Sequence, residues 1–152
     1  SYQLHIEWKI PADITGSGQA RGNSGVFLSG RYEIQVLDNY NNENKTYVNG
    51  MAGSIYRESI PLCNPEKKPG EWNVYDIAYT DPQFNDDGSV KTPARVTIFF
   101  NGVLVENNVA IEGATSTDTR HVYVKHGPAP LRLQAHGDKS APISFRNIWI
   151  RE

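Results

Sequence analysis

Tyr2, Leu4, Ile6, Trp8 and Ile10 alternate with Gln3, His5, Glu7 and Lys9 at the start of the chain. Successive residues of an extended strand point to opposite faces, so a period of two gives one buried and one wet face; a helix would scatter the same residues around its circumference. The pattern recurs in short pieces divided by Gly, Pro, Asn and Asp clusters. It predicts strands at about 24–28, 32–37, 72–80, 94–100, 103–106, 131–135 and 143–150, a short one at 52–56, and an extension or separate pairing at 109–111. Asn101-Gly102 suits a type I′ hairpin turn, and Asn147 breaks the alternation between Phe145 and Ile148, which predicts a bulge. No segment of useful length carries the helical period, and no internal repeat is present. The expected class is all-β: two antiparallel sheets packed as a sandwich.

The connections are polar. Residues 11–22 are Gly-rich, residues 39–49 hold five Asn, and residues 61–70 hold three Pro. Residues 81–93 read as a surface excursion, 115–120 as a single helical turn, and 136–140 as a turn between the last two strands. A chain of 152 residues is ordinarily one domain with a full core. Fifteen Lys and Arg against 17 Asp and Glu, scattered without a basic stripe, argue against a nucleic-acid footprint. No apolar run approaches the roughly 20 residues of a membrane span. The single Cys63 excludes an intrachain disulfide and a Cys-based zinc cage.

Between residues 21 and 38, two apolar runs flank a Gly30-Arg31 break, as in a hairpin. On the second run Glu33 and Gln35 share one face while Tyr32, Ile34 and Val36 share the other. A buried polar group without a partner costs about 1–3 kcal/mol, so the expected arrangement is one face on the core and one lining a polar groove. Gln134 and His136, two apart on a later strand, also share a face. Free imidazole titrates near pH 6.5 and can carry protons at neutral pH, and Gly137 lets the chain turn directly after it. His121 and His126 read as surface residues, and His5 as a residue on the polar face of the first strand. Phe145 faces inward, which turns Arg146 outward, either toward a carboxylate such as Glu33 or as a bridge between strands. Trp72 can stack a sugar ring or plug the core. Arg21, Asn23 and Asp38 complete the polar set around the groove. No His-x-x-x-His or Glu-x-x-His spacing is present, so no metal ligands are assigned. Asp38, Asn39, Asp86 and Asp87 offer oxygens of the kind calcium takes. Gly22-Asn-Ser-Gly25 lacks the strand–turn–helix setting of a nucleophilic Ser.

The run Asn23 to Asp38 resembles a bacterial carbohydrate-active family, the 3-keto-disaccharide hydrolases. The resemblance continues through Gly53-Ser-Ile-Tyr56, Lys68-Pro-Gly-Glu-Trp-Asn73, Thr97-Ile-Phe-Phe-Asn-Gly-Val103, Leu133-Gln-Ala-His-Gly137 and Phe145-Arg-Asn-Ile-Trp149. It implies a jelly roll of the concanavalin-A-like lectin and glucanase type, with a carbohydrate groove on one sheet. It also implies that residues 1–152 form a single domain lacking one or two N-terminal strands, with an open sheet edge.

For chemistry, the resemblance implies cleavage of a glycoside whose C3 hydroxyl a separate dehydrogenase has oxidised to a ketone, with no cofactor. Glu33 and His136 then share the base and acid roles, and Arg146 or Gln134 stabilises the enolate. Arg21, Asn23, Gln35, Asp38, Trp72 and Gln134 bind the sugar. The spacing of Glu33, Gln35 and Asp38 is similar to the Glu-x-Asp-x-x-Glu strand of retaining β-glucanases, but an amide and an Asp replace two of the acids, which disfavours a two-carboxylate mechanism. A non-catalytic carbohydrate-binding module on the same scaffold is the alternative. The implied location is periplasmic, or extracellular as a surface lipoprotein.

Overall fold

The computed structural model describes residues 1–42, 48–116, 120–137 and 142–152. Ten strands form from the alternating runs: β1 (Tyr2–Lys9), β2 (Ser24–Leu28), β3 (Tyr32–Val36), β4 (Trp72–Thr80), β5 (Gln83–Phe84), β6 (Val90–Thr92), β7 (Arg95–Phe100), β8 (Val103–Ala110), β9 (Arg132–Leu133) and β10 (Ser144–Arg151). All pairings are antiparallel. One sheet has five strands in the order β10-β1-β4-β7-β8, the second has three in the order β3-β2-β9, and β5 and β6 form a small hairpin. Helical geometry among the described residues is confined to single 3-10 turns at Gly18–Ala20 and Val48–Gly50. The chain is an all-β antiparallel sandwich.

The core lies between the two main sheets. Leu4, Ile6 and Trp8 of β1, Tyr75, Ile77 and Tyr79 of β4, and Ile98 and Phe100 of β7 face Val26 and Leu28 of β2 and Tyr32, Ile34 and Val36 of β3. Rings pack within and across the layer: on the five-stranded sheet Trp8 lies 5.4 Å from Tyr75 and 5.6 Å from Phe100, and between the sheets Tyr32 lies 6.2 Å from Tyr79. The Tyr75 hydroxyl, fully buried, donates to the Gln35 carbonyl at 2.7 Å and ties the five-stranded sheet to β3.

The turns follow their local chemistry. Asn101 and Gly102 both take positive φ, 51° and 79°, as the type I′ hairpin between β7 and β8 requires. Asn147 sits at φ 48°, and between His5 and Glu7 the partner strand advances from Trp149 to Arg146, so β10 carries the bulge its sequence predicts.

Other expectations change. Residues 52–56 form turns rather than a strand, with a single bridge between Ile34 and Ile55. They still cover the open edge of β3 through Gln35 N to Ser54 O, Gly53 N to Gln35 O and Tyr56 N to Glu33 O, each 3.0 Å. The predicted strand at 131–135 shortens to β9, the excursion at 81–93 holds β5 and β6, and 109–110 continue β8. Neither His121 nor His126 is a free surface residue. The His121 side chain is 5% exposed and its Nδ1 lies 3.1 Å from Glu58, and His126 Nε2 lies 2.7 Å from the Tyr32 hydroxyl. Residues 43–47 of the Asn-rich loop, 117–119 of the expected helical turn, and 138–140 of the turn after His136 lie outside the described residues. Among the described residues β9 and β10 are edge strands, and β10 leaves Ile148, Trp149 and Ile150 about half exposed.

The Tyr75 bond gives a direct test of how the sheets are joined. Tyr75→Phe removes one of the two donors to the Gln35 carbonyl, which keeps the Gly53 amide, and is expected to lower stability by about 0.5–1.5 kcal/mol in urea unfolding. A loss of packing alone would cost far less, because the ring stays.

Candidate functional site

Alternation sends Glu33 away from the core, yet Glu33 is only 5% exposed. Its strand is flanked on both edges, by β2 and by the turns at 53–56, and its amide donates to Thr115 Oγ1 at 2.9 Å. The carboxyl group therefore lies at the floor of a pocket of about 210 Å³ on the outer side of the three-stranded sheet. The pocket is lined by Asn23, Phe27, Tyr56, Thr115, Gln134 and His136 together with Glu33 and Ser116. Asn23, Gln134 and His136 also wall a neighbouring pocket of about 300 Å³, whose far side is Leu133, Pro142, Ile143 and Phe145. Gln134 reaches this position because its amide continues the β9 ladder onto the Gly25 carbonyl, at 3.0 Å. Ser24 Oγ pins the Gln134 carbonyl at 2.7 Å.

Burial pushes the Glu33 carboxyl up from an ordinary 4.5 to about 7, with no charged neighbour among the described residues to offset it. This is a desolvation shift: the charged form loses water and gains nothing in exchange. A carboxyl that ionises near neutrality can both take and give a proton at working pH. Among the described residues lining both pockets, Glu33 is the only carboxylate. Gln134 Oε1 is buried without a hydrogen-bond partner among them, and an unsatisfied acceptor at a pocket wall suits a ligand hydroxyl.

The structure brings together Glu33, His136, Gln134 and Asn23 from the residues the sequence nominated. It sets the others elsewhere. Gln35 is fully buried below the pocket, its Nε2 donating to Gln19 Oε1 at 3.0 Å, to the Gly50 carbonyl at 3.4 Å and to Asn23 Oδ1 at 3.5 Å. It supports Asn23 rather than touching the cavity. Arg21 and Asp38 are spent on each other: Nε meets the buried Asp38 Oδ2 at 2.6 Å, and Nη1 donates to the Ile14 carbonyl at 3.2 Å. That pair closes the loop at 11–22 onto the end of β3.

Arg146 and Trp72 lie on the opposite surface of the sandwich, on the outer side of the five-stranded sheet. Arg146 Nε bonds Glu7 Oε2 at 2.6 Å, and its guanidinium stacks 3.9 Å over the Trp72 ring. Asn147 bonds the other Glu7 oxygen at 2.7 Å. Arg146 thus bridges strands, and Trp72 is a platform for Arg146 and Lys9. Of the oxygens considered for calcium, Asp38 is committed to Arg21 and Tyr40, and Asp87 to Ser89. No cluster of three or more His, Cys, Asp or Glu suited to a metal occurs among the described residues.

Phe27, Tyr56, Thr115 and Ser116 line the pocket and were not selected from the sequence. Tyr56 ends the turn that covers β3, and Thr115 and Ser116 sit in a polar segment with no periodicity to reveal its face. A larger hollow, about 430 Å³, lies near Tyr2, Asp81 and residues 126–129. Two of its ionisable groups are engaged, since Asp81 accepts from Ser29 at 3.3 Å and His126 pairs with Tyr32, and the residues nominated from the sequence are not among its lining. Chemistry therefore points to the smaller pocket.

The model of a family described as the 3-keto-alpha-glucoside-1,2-lyase-like domain matches residues 1–151. A crystal structure of a candidate glycosyl hydrolase from Parabacteroides distasonis ATCC 8503 is similar at 58% identity and a TM-score of 0.96, covering 99% of this chain. The present chain spans 63% of that protein's length. Two further candidate glycosyl hydrolases from the same organism share the fold. One has 23% identity and a TM-score of 0.58, the other 20% and 0.64, each over 99% of this chain and over 77% and 70% of theirs. No curated protein matches the chain.

Two measurements check this geometry. The Glu33 carboxyl holds its proton more tightly folded than unfolded, so its contribution to stability is complete below about pH 4.5 and is lost as pH rises through about 7. Glu33→Gln keeps the shape and removes the titration. At pH 8 it is expected to be more stable than wild type by about 1–3 kcal/mol in urea unfolding, at about 1.4 kcal/mol per pKa unit, with the difference vanishing near pH 4. Arg146→Ala, on the far surface, is expected to leave turnover at the wild-type rate; a large loss of activity would place Arg146 in the reaction after all.

Proposed function

Because the chain belongs to the 3-keto-alpha-glucoside-1,2-lyase-like domain family, we propose that it cleaves glycosides carrying a ketone at C3 by removing the C2 proton and expelling the C1 substituent. A C3 ketone acidifies the C2 hydrogen, because the resulting carbanion is delocalised into the carbonyl as an enolate. In this reading the Glu33 carboxylate takes that proton. The C1–O bond then breaks as the C1–C2 double bond forms, and His136 delivers a proton to the departing oxygen. Addition of water across the double bond, with hydroxyl to C1 and hydrogen to C2, yields the free 3-keto sugar. In this reading Gln134 Oε1, which has no partner among the described residues, accepts from a sugar hydroxyl, and Asn23, held by Gln19 and Gln35, borders the sugar beside it.

The observation that carries the reading is the Glu33 carboxyl: buried, uncompensated, and facing a cavity that also holds His136. Displacement by paired carboxylates would call for a second acid about 5–5.5 Å away for retention, or 6.5–9.5 Å for inversion. Elimination needs one base and one acid without that fixed spacing. The ketone has to be installed by a separate oxidoreductase acting on the glycoside first, and the polar groove fits a sugar as the partner. An extracytoplasmic setting, periplasmic or on the surface, suits scavenging of such glycosides.

The test is a 3-keto-glucoside deuterated at C2, run beside an unoxidised β-glucan. The released 3-keto sugar is expected to carry solvent hydrogen at C2, and the glucan to remain intact. Glu33→Gln and His136→Ala should each slow cleavage by about 10²–10⁴, and Glu33→Gln should abolish label exchange with it. With Glu33 as the base, kcat/KM rises with pH through a limb near 7 that Glu33→Gln removes; a falling limb there would reverse the two roles. Full retention of deuterium at wild-type rates would exclude the elimination, and binding of the sugars without turnover would leave a carbohydrate-binding module.

A further inference from the structure

Glu33 has Phe27 as its direct partner across the β2–β3 ladder, and Gly25 as its diagonal neighbour on the same face. Its side chain leans over the glycine. A methyl group built on Gly25 would stand 2.9 Å from both Cγ and Cδ of Glu33 and would meet Oε1 more closely still; these are its three nearest neighbours. Backbone conformation does not call for glycine here, since Gly25 is absent from the positions with positive φ. The residue sits inside a regular strand, paired with Gln35 on one side and accepting from the Gln134 amide on the other. Glycine in a strand interior ordinarily weakens it, and commonly marks a place where another group comes close. Here the group that comes close is the carboxyl at the floor of the pocket.

We propose that Gly25 is a positioning residue for Glu33: its missing side chain is the berth that fixes the carboxyl against β2, facing the cavity shared with His136 and Gln134. The proposal rests on the reading of Glu33 as the proton-transfer group. Without the berth, β2 itself is closed to the carboxyl. The neighbouring strand position is filled by Phe27, and Thr115 and Tyr56 stand on the other flank. The free direction is outward into the cavity, where a sugar ring would sit. A displaced carboxyl is therefore misaimed, more hydrated and in the way. A displacement of about 1 Å at a reacting group can cost on the order of 10² in rate.

Gly25→Ala tests this in three ways. On a 3-keto-glucoside, kcat/KM is expected to fall about 10²-fold, with KM raised as well as kcat lowered. Carboxyl-carbon NMR of the free protein should show Glu33 titrating below its wild-type midpoint, because the displaced group regains water. In a double-mutant cycle, Glu33→Asp should cost less activity in the Gly25→Ala protein than in wild type, because the shorter side chain relieves the collision. Wild-type kinetics and an unmoved Glu33 titration in Gly25→Ala would overturn the proposal. If Gly25→Ala folds poorly, the same change is made in Glu33→Ala, where the methyl has nothing to strike. Stability equal to the Glu33→Ala parent supports the berth, and an equal loss there overturns it. The outcomes separate from those of the functional reading: a fully active Glu33→Gln would sink the chemistry, while the titration and the stability cycle would still decide whether Gly25 places Glu33.

Discussion

All five residues of β3 are buried, although only three of them face the core. This constraint organises the surrounding structure. Tyr32, Ile34 and Val36 complete the hydrophobic layer, so Glu33 and Gln35 are carried to the other side, where their polar atoms cannot simply be left in water. The turns at 53–56 supply three backbone bonds to the edge of β3, Thr115 supplies an acceptor for the Glu33 amide, and Gln19, Asn23 and Gly50 gather around the Gln35 amide. Each satisfies a group that would otherwise cost about 1–3 kcal/mol. What the described residues do not supply is a cation for Glu33. The wall holds the Gln35 amide nitrogen, leaves Gln35 Oε1 without a partner among the described residues, and buries the Glu33 carboxyl beside a cavity, which raises its affinity for a proton.

The two outer surfaces of the sandwich treat charge in opposite ways. On the five-stranded sheet the carboxylates are paired: Glu7 is held below its usual range by Asn147 and Arg146, and Asp76 lies 2.6 Å from His5, which stacks on Trp149. These interactions are exposed and contribute little individually, but they commit the Glu7 and Asp76 carboxylates to partners on that sheet. On the three-stranded sheet the one carboxyl lining the pocket is buried and has no charged partner among the described residues. Functional sites are where environment pushes a titration away from its ordinary value. The contrast between Glu7 and Glu33 comes from neighbours, since the side chains are identical.

Much of the fold was legible because alternation is a local signal. The spans of β1, β4 and the β7–β8 hairpin follow it closely, and the Asn101-Gly102 turn and the Asn147 bulge were written into residue types. Alternation also gave the correct face for Glu33, Gln134 and His136. It failed for Arg146 and Trp72 for a definite reason. Parity within a strand tells inward from outward, but a sandwich has two outward surfaces, and which sheet a strand joins depends on long-range pairing. Arg146 is outward, as its neighbour Phe145 implies, on the far surface from Glu33. The Arg21–Asp38 pair was invisible for a related reason: both residues are polar and near a groove in sequence, yet the ion pair that consumes them forms across a loop. Thr115 and Ser116 were missed because irregular segments carry no periodic signal at all.

A raised carboxyl affinity would not have identified the site unaided. Glu58 and Glu106 are pushed up to about 7 by burial just as Glu33 is. Their surroundings differ. Glu58 accepts from the Glu112 amide at 2.7 Å and lies beside His121, and Glu106 accepts from Ser59 at 2.5 Å. Both are braces between segments, and neither lines the pocket of Glu33. Their protons nevertheless bear on the behaviour of the whole molecule, since each of these groups withdraws stability as pH rises from about 4.5 through about 7. The pH dependence of stability is thus shared among at least four buried acids, since burial also pushes Glu66 well above its ordinary value, whereas the proposed proton transfer is assigned to Glu33, which lines a pocket with His136. A cavity beside a carboxyl with no charged partner among the described residues is what separates Glu33 from Glu58 and Glu106 in the proposed chemistry, and the diagonal gap at Gly25 is where its side chain lies.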